Sequence, residues 1–167
     1  MGGRDKARLR LHAGGPTFIE LLITGLRPLV QEIILAGRSD QDFSSLGCRM
    51  LVDRLQDAGP VCGLESALQH CTTPWVYLTA CDMPFFSDVA FTALARRRSA
   101  APIVMPRDAQ GCCYPTMALY HTRLATELRA YVDAGERSLI GFVHRVNATF
   151  VEPEPTWGKA LCNINTH

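Results

Sequence analysis

Residues 74–82 read Pro-Trp-Val-Tyr-Leu-Thr-Ala-Cys-Asp. The first seven, PWVYLTA, are mostly apolar and rich in β-branched and aromatic side chains. They are too few for a globular helix and suit a strand covered on both faces, as in a parallel sheet. An aspartate stands two residues past that strand. In open α/β sheets ligands bind beyond the carboxyl ends of the strands. The fold class and the place to look for chemistry therefore follow from one short stretch.

The flanking sequence repeats the alternation. Upstream, GPVCGLESALQHC (59–71) follows a Gly-Pro turn and spaces Leu64, Ala67, Leu68 and Cys71 as one helical face. Before it lie RMLV (49–52) and EIILA (32–36), two short apolar strands separated by the polar GRSDQDFSSLG (37–47). TFIELLITGLRPLV (17–30) predicts a helix with Phe18, Leu21, Leu22, Leu26 and Leu29 inward. Downstream come a helix in 88–100, strands in 102–106 and 114–121, helices in 121–136 and 137–146, and a last strand in 148–153. Strands alternating with helices over short connections predict an α/β domain of the Rossmann-like three-layer type with a mainly parallel sheet. No repeat, low-complexity tract or linker divides it, so residues 1–167 are read as a single domain.

The chain has 167 residues, a formal net charge of +1 and 47% hydrophobic residues. That balance suits a globular core and supplies no basic field for nucleic acid. No apolar run approaches the ~20 residues of a membrane span. The polar, basic N-terminus has no apolar segment of the secretory kind, so a cytoplasmic location is expected. Seven cysteines without a C-x-x-C pair are expected to be reduced, mostly buried thiols. His12, His70, His121, His144 and His167 are scattered, and no Ser-His-Asp arrangement suggests itself.

Three charged residues sit at the predicted ligand edge. Asp53 follows RMLV, Asp82 follows PWVYLTA, and Lys6 lies in GGRDK ahead of the first helix. Carboxylates suit Mg2+, which prefers hard oxygen ligands and phosphate oxygens. A lysine beside glycine-rich backbone can neutralise phosphate. Together they suggest metal-assisted transfer at a nucleotide's phosphates. Each also has an ordinary structural use: Asp53 as a cap, Asp82 as a turn residue, Lys6 as a solvated terminal charge.

An ordered series of motifs carries a resemblance. MGGRDKA (1–7), VDRLQDAGPVCGL (52–64), TACDMPF (79–85), YPTMALY (114–120), AGERS (134–138) and NINT (163–166) resemble the molybdenum cofactor guanylyltransferase family along essentially the whole chain. The resemblance implies a nucleotidyltransferase fold. It also implies transfer of GMP from Mg2+-GTP to the molybdopterin form of the molybdenum cofactor, with release of pyrophosphate. On the matching positions Lys6 and Asp82 are the catalytic candidates. Gly2, Gly3, Lys6, Asp53 and Asp82 are implied for GTP, and Asp82 for Mg2+. Pro115, Thr116, Asn163, Asn165 and, less directly, Arg137 are implied for the pterin substrate. A monomer making transient contacts with molybdoenzyme-maturation proteins is expected.

The match has departures. The family pattern starts with an apolar strand and a Leu-Ala-Gly-Gly loop before Met-Gly-Gly, and continues past NINT with proline, acidic residues and a closing helix. With Met1 aligned to that internal methionine, the chain is expected to lack the first strand and to transfer nucleotide poorly as residues 1–167. Leu35 and Gly37 stand where the family tends to carry asparagine, which leaves base identity open. The alternatives are a related nucleotidyltransferase using CTP or a sugar-1-phosphate, and a non-catalytic cofactor-binding fragment.

Overall fold

A computed structural model describes residues 6–55 and 59–164. After a 3-10 turn at Lys6–Arg8 the chain forms α1 (Phe18–Leu26), β1 (Ile34–Gly37), β2 (Arg49–Val52), α2 (Pro60–His70) and β3 (Trp75–Thr79). It continues through α3 (Asp88–Ala95), β4 (Ile103–Pro106), β5 (Met117–His121), α4 (Ala125–Asp133), α5 (Leu139–Arg145) and β6 (Ala148–Val151). The class is α/β, as the alternation predicts.

Helix starts follow local chemistry. Thr17 accepts a hydrogen bond from the Glu20 amide, and the Glu20 carboxylate accepts one from the Thr17 amide at 2.7 Å, a capping box. Ser87 and Ser138 cap α3 and α5 in the same sense. Pro60 occupies the first turn of α2, where no amide donor is needed. The inward face of α1 is Phe18, Ile19, Leu22, Ile23 and Leu26. Leu29, expected on that face, lies beyond the helix end and is exposed. The 121–136 segment divides into a 3-10 turn at Thr122–Leu124 and α4.

The strands fall into two groups. β1 pairs with β2 in parallel. β3, β5, β4 and β6 form a four-stranded sheet in that order, with β4–β6 parallel and β3–β5 and β4–β5 antiparallel. β4 and most of β5 are buried, and Ile103, Met105, Ala118 and Tyr120 join α2, α4 and α5 in the largest core cluster. Helix α2 packs on β1, β2 and β3, so it spans both groups. Cys81, just past β3, Leu35 of β1 and Met50 of β2 all pack against the cluster of Ala7, Ile19, Ile23 and Phe43, and Gly25 of α1 lies against the Phe86 ring.

β3 departs from its sequence reading in one respect. Its one ladder among the described residues is antiparallel, and all five of its residues are half-buried rather than buried. The cause is an edge: no described strand lies on its other side, and none lies on the side of β1 away from β2. The cysteines also depart from expectation. None of the seven forms a disulfide, but Cys62 alone is buried, because the others lie at strand ends, a helix end and loops.

The antiparallel register settles which β3 groups are paired. The Thr122 amide donates to the Pro74 carbonyl at 3.0 Å, and the Ala80 amide donates to the Thr116 carbonyl at 3.2 Å. Alternation along the ladder then directs Val76 and Leu78 to β5 and turns the Tyr77 and Thr79 backbone to the open edge. Residue-resolved hydrogen exchange should therefore find the Val76 and Leu78 amides protected and the Tyr77 and Thr79 amides exchanging at least about tenfold faster. Equal protection along β3 would contradict an open edge.

Candidate active site at the end of β3

The chain turns sharply after β3. The Met83 amide donates to the Ala80 carbonyl at 3.1 Å, which brings Asp82 across the strand end. The Asp82 side chain is 19% exposed, and its Oδ2 lies 3.3 Å from Nζ of Lys6, itself 38% exposed. Ala7 explains how Lys6 arrives there: it is buried with Ile19, Ile23 and Phe43, which fixes the turn that carries the lysine.

Two further segments close on the same turn. The Ile164 amide donates to the Asp82 carbonyl at 2.8 Å, so the exposed Asn163 is held one residue from that contact. Pro115 and Thr116 enter from β5. The Pro115 carbonyl accepts a hydrogen bond from the buried Tyr120 hydroxyl at 2.7 Å, and the Thr116 hydroxyl lies 3.6 Å from Sδ of Met83. Lys6, Asp82, Pro115, Thr116 and Asn163 thus gather at one strand end, although they come from four separate parts of the sequence.

Asp53 stands at the end of β2. Its amide donates to the Gly37 carbonyl at 2.8 Å, extending the β1–β2 ladder. Among the described residues its carboxylate Oδ1 is buried without a hydrogen-bond partner. Gly63 of α2 lets the helix backbone come this close: a Cβ there would meet the Ala36 Cβ at 3.0 Å and Asp53 Oδ1 at 3.7 Å. Burial pushes the Asp53 carboxyl above the ordinary carboxylate range, and the nearby Glu65 charge adds to the rise. A buried acceptor left unpaired is costly, and a donor from outside the described residues would relieve that cost.

Arg137 is placed differently. Its guanidinium donates to the Val132 carbonyl at 2.8 Å and the Glu136 carbonyl at 2.7 Å, closing the end of α4. Gly2, Gly3 and Asn165 lie outside the described residues. Among the described residues no group of three His, Cys, Asp or Glu side chains surrounds a metal position. Mg2+ commonly takes only one or two protein carboxylates with substrate phosphates and water, and Asp82 meets that need: its Oδ1 accepts no hydrogen bond among the described residues.

A four-charge ring escaped the sequence reading. Glu65 of α2 pairs with Arg54, which follows Asp53, and with Arg129 of α4, while Asp133 pairs with both arginines. The signal was present in GLESALQ, where Glu65 is the one carboxylate of the helix. Its partners lie far off in sequence, so its purpose did not show.

The family model for the MobA-like NTP transferase domain matches residues 1–148. The chain belongs to the MobA-like NTP transferase family. Among curated relatives, the molybdenum cofactor guanylyltransferase of Serratia proteamaculans (strain 568) is 32% identical over 150 residues, covering 89% of this chain and 75% of the relative. The Yersinia pestis (strain Pestoides F) protein of the same name is 30% identical over 170 residues, covering 99% of this chain and 84% of the relative. Among solved structures, molybdopterin-guanine dinucleotide biosynthesis protein A from Archaeoglobus fulgidus superposes with a TM-score of 0.80 at 22% identity, over 98% of this chain and 86% of that one. The 2-C-methyl-D-erythritol 4-phosphate cytidylyltransferase of Thermus thermophilus superposes with a TM-score of 0.74 at 17% identity, over 96% of this chain and 88% of that one. The MobA-like relationship makes this chain a nucleotidyltransferase related to molybdenum cofactor biosynthesis, on a fold shared with a cytidylyltransferase.

The raised Asp53 carboxyl has a consequence for stability. A carboxyl whose folded pKa exceeds its unfolded one binds more protons when folded, so stability falls as pH rises from the ordinary carboxylate range through the folded value. Asp53→Asn removes that fall. Urea denaturation should show the variant gaining on the parent as pH rises through this window, with the gain absent below the ordinary carboxylate range. A constant difference at all pH values would contradict a raised Asp53.

Proposed function

We propose that this MobA-like chain transfers GMP from GTP to the terminal phosphate of the molybdopterin form of the molybdenum cofactor, giving the guanine dinucleotide and pyrophosphate. The observation that carries the reading is the Lys6–Asp82 pair at the end of β3, with both residues in the motifs shared with guanylyltransferases. The names of the curated relatives support the substrate pair.

The reaction joins two polyanions, so charge neutralisation and positioning are the main requirements. An oxygen of the entering phosphate attacks the α-phosphorus of GTP. The bond from that phosphorus to the pyrophosphate oxygen breaks, and the pair of electrons leaves with pyrophosphate. No covalent enzyme intermediate is required. Asp82 would hold Mg2+, which when bound supplies positive charge to the phosphates. Lys6 exchanges its Asp82 partner for phosphate oxygen and stabilises the leaving pyrophosphate. Asp53 offers its unpaired Oδ1 to a nucleotide donor. Pro115, Thr116 and Asn163 border the Asp82 turn where the second substrate must approach. Arg137, tied to backbone carbonyls, contributes by shaping the end of α4. The cell compartment proposed for the reaction is the cytoplasm, where both substrates would meet the protein as a monomer.

The ion pair makes opposite predictions for two ligands. Lys6 competes with a divalent cation for Asp82 in the free protein, yet assists a nucleotide phosphate. In titration calorimetry Lys6→Ala should bind Mn2+ alone more tightly, while Mg2+-GTP binding weakens roughly tenfold or more, the scale of one charge-assisted contact. Asp82→Asn should lose metal-dependent nucleotide binding without a large change in melting temperature. Both affinities unchanged in Lys6→Ala would overturn the site assignment. Competition of GTP by CTP at equal concentration would instead favour a cytidylyl donor, the reading that the Thermus thermophilus neighbour supports.

A further inference from the structure

Helix α2 carries its one charged side chain where a charge is least welcome. Residues 61–68 are buried without a break, and Glu65 is 2% exposed. An ionised carboxylate in that position is costly unless it is paired and hydrogen-bonded. Glu65 is paired twice: Oε1 accepts from Arg129 Nη1 at 2.9 Å, and Oε2 lies 3.8 Å from Arg54 Nε. Asp133 completes the circuit, accepting from Arg54 Nη2 at 2.6 Å and from Arg129 Nε at 3.2 Å. Two cations and two anions alternate around a closed ring with no net charge.

The ring joins three parts of the fold. Glu65 belongs to α2, Arg129 and Asp133 belong to α4, and Arg54 belongs to the segment leaving β2. Pinning α4 to α2 requires only Glu65 and Arg129. Arg54 also bridges the two helices, through Glu65 of α2 and Asp133 of α4. It alone of the four belongs to the segment leaving β2, next to Asp53 in the chain. The peptide at residues 53–54 is therefore held from two sides: the Asp53 amide by the Gly37 carbonyl at 2.8 Å, and the Arg54 side chain by two carboxylates. Between those two anchors sits the carboxylate with the unpaired buried oxygen.

We propose that the Arg54–Glu65–Arg129–Asp133 ring positions Asp53 for the nucleotide, with Arg54 as the positioning residue and Glu65 as its buried anchor. The inference rests on the reading of Asp53 as a nucleotide contact and extends the machinery of that reaction to residues remote from the phosphates. Arg54 acts through Asp53. With the ring closed, the β2 end cannot move away from α2, and Asp53 Oδ1 stays beside Gly63. With Arg54 released, the two residues past β2 lose one of their two anchors while the helix pair keeps Glu65–Arg129. A purely structural ring would behave differently, because loss of any member would loosen α2 against α4 and lower global stability alike.

The test uses the full chain with Arg54→Gln, Arg54→Lys and Arg129→Gln. Amide hydrogen exchange is read at Asp53 and, as an internal standard, at the fully buried Phe142. Binding of Mg2+-GTP is read by titration. Arg54→Gln is expected to speed exchange at Asp53 about tenfold relative to Phe142 and to weaken nucleotide binding by a similar factor, the scale of one charged hydrogen bond. Arg54→Lys should recover part of both. Arg129→Gln should speed both amides together. Exchange at Asp53 that tracks Phe142 in Arg54→Gln overturns the proposal, whatever the nucleotide result. An Asp53-specific exchange change in Arg54→Gln, beside a parent protein that binds no Mg2+-GTP, overturns the nucleotide reading and with it the purpose assigned to the ring. Glu65→Gln removes a partner of both arginines and should therefore speed both amides, as Arg129→Gln does.

Discussion

The close approach of α2 to the strands is the constraint on which the rest depends. The β1–β2 pair and the four-stranded sheet are not hydrogen-bonded to each other among the described residues. α2 packs on β1, β2 and β3 and so holds both groups to one layer. Gly63 permits the contact, since even a Cβ at that position would press on Ala36 at 3.0 Å. The helix is buried for eight consecutive residues, which means it must be satisfied on every face. Val61, Leu64 and Leu68 meet that need with apolar packing, and Glu65 meets it with two arginines. Burying each large aliphatic side chain contributes about 1.5–3 kcal/mol, so this one helix supplies a substantial part of the stability of the domain.

The site inherits its geometry from that packing. β2 precedes α2 and β3 follows it, and Asp53 and Asp82 stand just past the two strands. The two carboxylates then differ by environment. Asp82 is partly exposed and neutralised by Lys6, which suits exchange with a cation and a phosphate. Asp53 is buried, unpaired at one oxygen and pushed up in pKa, which suits a fixed hydrogen-bonding role. Thr116, just before β5, and Ile164 both close on the turn that carries Asp82.

Much of this was legible in the sequence. Helix and strand order follow from hydrophobic period. Asp82 was legible because an apolar strand announces where ligands bind. Lys6 was legible only through the shared motifs, since a lysine near a terminus carries no signal of its own. Three features were not legible, for distinct reasons. The half-burial of β3 depends on what lies beside it, which a strand's own residues do not record. Leu29 has the right spacing for the α1 face but falls after Arg27 and Pro28 have ended the helix. The Glu65 ring joins residues 54, 65, 129 and 133, and no local pattern links charges so far apart. The motif-based Arg137 candidate stands on backbone carbonyls, a capping use that spacing does not distinguish from phosphate binding.

The central claim is that metal and nucleotide meet at the end of β3. Paramagnetic relaxation in the isotope-labelled protein tests it directly, with Mn2+ added in the presence of GTP. Amide signals of Cys81, Asp82, Met83, Thr116 and Ile164 are expected to broaden first, with Asp53 next and the far ends of α4 and α5 unaffected. Broadening centred on Asp108, Asp133 or any cluster away from Asp82, or broadening that GTP does not alter, would contradict the account.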